Sequence, residues 1–177
     1  MSPRADAVRN RANILAAASR VFASHGVNAS TEQVAAEAGV AIGTVFRHFP
    51  TKPDLLRAIM KDLLADLTEE LAAPDADLFS FFGRLVRESA AKRSVIELLI
   101  AAGIDVQVAD QVLALRSAVA ALLARAQENG QVRAEVRADE VMALLIAACQ
   151  GAVQAGWDAD LQNRTLSIIF TGLRNPS

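Results

Sequence analysis

Apolar residues recur at helical spacing along most of this chain. Val8, Ala12, Leu15, Ser19 and Phe22 fall at steps of four and three, which predicts a first helix over about 5–25 with this stripe buried. Arg4, Arg9, Arg11 and Arg20 lie off the stripe, and Gly26 fits its C-cap. Ser30 and Gln33 have the spacing of a capping box, so a second helix starts there, with Val34, Ala35 and Ala38 facing inward. Gly39 ends it and Val40 fills the corner. A two-turn third helix over 42–48 puts Val45, and Phe49 just beyond it, toward the core. Pro50 stops that helix. Thr51 caps the next, with Asp54 as its acidic third residue and Pro53 tolerated in the first turn. Leu55, Ile59, Leu63 and Leu67 carry this fourth helix to about residue 71. Residues 72–76 read as a linker. Further helices are predicted over 76–92, 94–103, 107–129, 139–156 and 159–174, with Gly130 ending one and Asp139 capping the next. Residues 131–136 carry the one hint of alternation and read as a loop.

The expected fold class is therefore all-α: a three-helix head over 1–50 and a helical body over 51–177. Composition agrees. Hydrophobic residues make up 53% of 177 and charged residues 21%, enough for a core and too apolar for disorder. The longest apolar stretch, 141–155, contains Gln150 and Gln154 and is too short to span a bilayer. There is no apolar leader at Met1, and one cysteine allows no internal disulfide, so a cytoplasmic, membrane-free protein is expected. Charge is unevenly spread. Residues 1–61 hold eight Lys/Arg and four Asp/Glu (+4), and the remaining residues hold ten and sixteen (−6), which together give the net −2. A basic head on an acidic body suits a module that meets a polyanion.

Residues 30–56 give that module a form. Two short helices about a glycine turn make a helix-turn-helix, whose second helix fits a major groove about 12 Å wide. Thr44 and His48 carry donors suited to phosphate oxygens, as does Thr31 at the start of the second helix. Lys52 adds positive charge at a helix N-terminus, where an anion is favoured. Arg47 suits a guanine edge or a phosphate, and Ile42, Gly43 and Phe46 share the outer surface. Phe46 has an alternative use, completing the small core.

Residues 14–56 resemble the DNA-binding domain of the TetR family of bacterial transcriptional regulators. The matching elements are Ile14-Leu15, Ala17-Ala18, Phe22, Gly26, Ser30, Val34-Ala35, Ala38 to Val40, Gly43 to Phe46, His48-Phe49, Lys52 and Leu55-Leu56. The resemblance implies a homodimer on a palindromic operator, a body that binds a small effector, and last helices that form the dimer interface. By position it implies backbone contacts from Thr44, Phe46, His48 and Lys52, with Ile42, Gly43 and Arg47 facing bases. There are two departures from the family pattern. Ala41 stands where serine is usual, removing a helix cap worth about 1 kcal/mol, and Phe46 stands where tyrosine is usual, removing a hydroxyl.

The body offers weaker signals. Phe79, Phe82, Val86, Leu113, Met142 and Leu145 are candidates to line an apolar effector cavity, or are ordinary core; Arg116 sits among apolar neighbours and suits an anionic group or solvent. An apolar cavity favours a hydrophobic or amphipathic molecule. Ala148, Gly151, Ala152 and Ala155, with Ile168, Ile169 and Gly172, are small or apolar and form the expected dimer face, the alternative being a contact within one subunit. Cys149 lies among apolar residues and reads as an inert buried thiol. His25 and His48 have no ligand cluster around them, no nucleophile motif is present, and neither metal nor cofactor is implied. The expected function is a ligand-released repressor. The rivals are a DNA-binding regulator without a small ligand and a helical enzyme or interaction module.

Overall fold

The structure is a computed structural model that describes residues 3–91 and 109–176. The helix expected over 94–103 lies outside the described residues. The described residues hold eight α-helices: α1 Pro3–His25, α2 Thr31–Ala38, α3 Ile42–His48, α4 Lys52–Ala72, α5 Leu78–Ala91, α6 Ala109–Glu128, α7 Ala138–Gln154 and α8 Ala159–Leu173. They contain no β-strand; the loop over 131–136 forms one isolated antiparallel bridge, Val132 to Arg174. The chain divides into two compact units, residues 3–63 in one and residues 64–91 and 110–176 in the other.

In the first unit α1 packs against α2, and α2 against α3. The buried stripe of α1 is Ile14, Leu15, Ala17, Ala18, Val21 and Phe22. Leu15 and Phe22 are buried as expected, but the rest of the expected stripe is not: Val8 is 71% exposed, and Ala12 and Ser19 face solvent. The reason is that α2 covers a broad band, so burial follows the i, i+3, i+4, i+7 set about Ile14 rather than one narrow line. Ser30 and Gln33 form the expected capping box, with Gln33 N–H donating to Ser30 Oγ at 3.2 Å and Ser30 N–H donating to Gln33 Oε1 at 2.9 Å. Gly39 takes φ 66° and ψ 33°, and Val40 N–H reaches Ala35 O at 3.0 Å, closing a Schellman turn. Val45 and Phe49 are buried, as their spacing predicts.

In the second unit α5 packs along α7 and also meets α8. Phe81, Phe82, Val86, Val119, Leu122, Val141 and Leu145 form its apolar centre. Phe170 meets Phe79 and Phe82 edge-on, with ring centroids 5.0 and 5.6 Å apart. Such pairs add about 0.5–1.5 kcal/mol beyond area burial. The Arg125 guanidinium donates to Ala73 O and Ala76 O, fastening the α4–α5 linker to α6. Helix α7 starts one residue before its expected cap. The Arg137 N–H is satisfied by Glu140 at 2.9 Å, and Asp139 instead lies inside the first turn and pairs with Arg116.

Candidate nucleic-acid interface

Helix α3 spans only seven residues, and its chemistry follows from which side it buries. Val45 faces inward, so Ile42, Gly43, Phe46 and Arg47 lie on the outside. Phe46 is 44% exposed and does not complete the core. Gly43 has nothing within 4 Å of where a Cβ would stand, so the backbone there is open to close approach. Thr44 and His48 are half-buried at the margins, the His48 ring lying 6.3 Å from that of Phe49. Ala41 makes no side-chain cap; the first turn is closed by Thr44 N–H donating to Ala41 O at 2.8 Å. Thr31 is half-buried at the start of α2.

The other flank is the N-terminus of α4. Thr51 and Asp54 cap it reciprocally: Asp54 N–H donates to Thr51 Oγ1 at 3.2 Å, and Thr51 N–H donates to Asp54 Oδ2 at 3.1 Å. The Thr51 hydroxyl, and then Arg57 at 2.7 Å, hold the Asp54 carboxyl below the usual carboxylate range. Because Pro53 has no N–H and that of Asp54 is taken, an anion at this helix end would rely on Lys52. The Lys52 ammonium donates to Ala29 O at 2.8 Å and sits 5.5 Å from the Phe22 ring centroid, so it also holds the loop before α2 against α1. The sequence shows the charge of Lys52 but not this partner, which is twenty-three residues away. Two further contacts brace the unit: Arg20 pairs with Glu37 at 2.8 Å, and the Arg11 guanidinium lies 5.5 Å from the Phe49 ring.

The residues expected at an effector site fall in different surroundings. Phe82, Val86, Met142 and Leu145 are buried, Leu113 is 65% exposed, and Arg116 is on the surface with Asp139. Phe79 borders an open cavity of about 560 Å³, shared with Arg87, Phe170 and Arg174, which the sequence did not single out. Of the expected dimer residues, Ala148 and Ala152 are buried within the chain and Gly151 faces the ring of Trp157. Ala155, Ile168 and Gly172 are exposed, and Ile169 is half-buried. Burial pushes the Cys149 thiol up, against a lesser opposing hydrogen bond from Ser89. Among the described residues no cluster suits a metal ion, and no helix is long and apolar enough to cross a membrane.

Comparison with known proteins agrees with this geometry. Residues 14–59 match the family of bacterial regulatory proteins of the tetR type, and residues 73–175 match the C-terminal domain of SbtR-like transcriptional regulators. A TetR transcription regulatory protein from Mycobacterium vanbaalenii is 34% identical, with a TM-score of 0.78 over 98% of this chain and 100% of that one. A TetR transcriptional regulator from Streptomyces coelicolor is 28% identical, with a TM-score of 0.76 over 94% of this chain and 99% of that one. An HTH-type transcriptional regulator from Staphylococcus aureus is 40% identical over 68 residues, so the chain spans 37% of that protein's length. With more than half of its residues matched by the body family and a full-length relative at 34% identity, the chain belongs to the TetR family: it is a DNA-binding transcriptional regulator and not an enzyme.

Proposed function

We propose that this regulator is a cytoplasmic homodimeric repressor that binds a palindromic operator and is released from it by a small hydrophobic or amphipathic effector. In this reading residues 1–50 are the DNA-binding head and residues 51–177 the effector and dimer body. The observation that carries it is the outer face of α3, where Ile42, Phe46 and Arg47 stand exposed around an open Gly43. That face offers base contacts from Ile42, Gly43 and Arg47. Thr31, Thr44, Phe46, His48 and Lys52 supply the flanking backbone contacts, which set register rather than sequence. A two-fold dimer presents two such faces to half-sites about one helical turn apart, roughly 34–36 Å. The apolar side chain of Ile168, 76% exposed on α8, supports pairing of two copies. The cavity beside Phe79 supports an effector in the body. An effector lowers operator affinity only by as much as it prefers the body conformation that parts the heads.

In vitro selection of bound duplexes tests this. The expected product is a palindrome, and Arg47→Ala changes the preferred base at one symmetric pair of positions, at a cost of about 1–3 kcal/mol per contact. Recovery of the same sequence by the Arg47→Ala protein would remove Arg47 from base readout. Recovery of no preferred sequence by the native protein would overturn the operator reading.

A further inference from the structure

The cavity beside Phe79 has a chemistry of its own. Asp77, Ser80 and Arg87 border it from the start of α5, and Phe170 and Arg174 from the end of α8. Its walls are fixed by local bonding. Asp77 caps α5 by accepting the Ser80 N–H at 2.8 Å on Oδ1, so one carboxylate oxygen is taken while its negative charge stays at that margin of the cavity. Arg174 is held in the antiparallel bridge to Val132, and the next residue, Asn175, donates through Nδ2 to Gly130 O at 2.8 Å. The Arg174 guanidinium sits over Phe79, its carbon 4.7 Å from the ring centroid. A ring face satisfies none of the five N–H donors at the edge of that plane. Arg87 rests against Gly83, where even a Cβ would stand 3.2 Å from its Nη1. Among the described residues, neither Arg87 nor Arg174 has a carboxylate partner. Both arginines and Phe170 also border an adjoining recess of about 280 Å³.

Two guanidinium groups without an ion pair among the described residues, against one carboxylate at Asp77, leave this end of the cavity net positive beside two aromatic rings, which suits an amphipathic anion. We propose that this cavity binds a small carboxylate with an aromatic or apolar body, its head between Arg87 and Arg174 and its body against Phe79 and Phe170. Guanidinium matches the planar carboxylate in bidentate geometry, and a cavity of about 560 Å³ lies inside the usual range for small-molecule sites, about 300–1,000 Å³. The site stays open in a dimer formed through Ile168. The recess takes Asn163, Leu166, Ser167, Phe170 and Thr171 of α8 and Arg174 just beyond it, whereas Leu161, Ile168 and Gly172 lie about 150° around the axis. The inference rests on the reading of the body as an effector module and names the class of effector.

Titration calorimetry on the full chain tests it, with phenylbutyrate, its neutral primary amide and inorganic phosphate as probes. Saturable phenylbutyrate binding is expected at one per chain, with the amide and phosphate weaker by about tenfold or more. Arg87→Gln and Arg174→Gln should each weaken phenylbutyrate by a similar factor without lowering Tm, and Arg164→Gln, elsewhere on α8, should leave it unchanged. Equal binding of the amide, native affinity in either arginine variant, or no saturable binding into the millimolar range would overturn the site. The operator complex separates the two readings. Phenylbutyrate that binds through both arginines but leaves DNA bound upholds the site and refutes release by it. A neutral compound that frees DNA while phenylbutyrate fails to bind does the reverse.

Discussion

Gly39 has a left-handed backbone, φ 66°, and nothing within 4 Å of where its Cβ would stand. The cost of a side chain there is therefore conformational and not steric. Gly39→Ala should destabilise the head by about 1 kcal/mol, read as a lower Tm, while Gly39→Asn recovers much of the loss because asparagine tolerates this region. Equal losses for both variants would mean that the turn is held by something other than backbone freedom. This residue, like the Ser30–Gln33 box, was legible in the sequence because its partners lie within a few positions. Lys52 was legible only as a charge. Its bond to Ala29 O depends on how α4 starts beside the loop before α2, which no local pattern encodes.

Elements were readable wherever one face is covered by one neighbour. The bounds of α3 follow from a glycine turn before it and Pro50 after it, and Val45 alone fixes its buried side. For α1 the large residues Leu15 and Phe22 were visible as buried, but the rest of the stripe was not, because alanines lie on both sides of it. The small residues of α7 were visible as a group, but their partners were not. A Cβ at Gly151 would overlap the Trp157 ring, so this glycine serves the packing of α7 on the turn that follows it. Gly151→Ala should cost about 1–3 kcal/mol by overpacking and should shift the emission of Trp157, the only tryptophan. An unchanged Tm with unchanged fluorescence would show that Trp157 leaves the helix in solution.

At the scale of the whole molecule, the family is written in local motifs, whereas the proposed pairing and response would rest on surfaces that only folding assembles. Arg174 reaches the body cavity because the end of α8 bridges the loop at Val132, a contact between residues forty-two apart in sequence. The expected dimer residues divide on the same grounds. Ala148 and Ala152 are spent on the interior, and Ile168, with Leu161 about two helical turns before it, remains outside. An isoleucine that is 76% exposed gains little as a monomer and about 1.5–3 kcal/mol when fully buried. Ile168→Asp would instead place a charge in each copy of a two-fold interface, where the same residue recurs on both sides. Light scattering at micromolar concentration should then find a chain of half the mass, with helicity retained in circular dichroism because the native side chain supports no internal core. Affinity for a single half-site should persist while affinity for the full palindrome falls steeply, since two linked heads bind with an effective concentration that one head lacks. If Ile168→Asp stays dimeric, the pairing surface lies elsewhere; if it is monomeric yet binds the palindrome as before, the two heads do not act together.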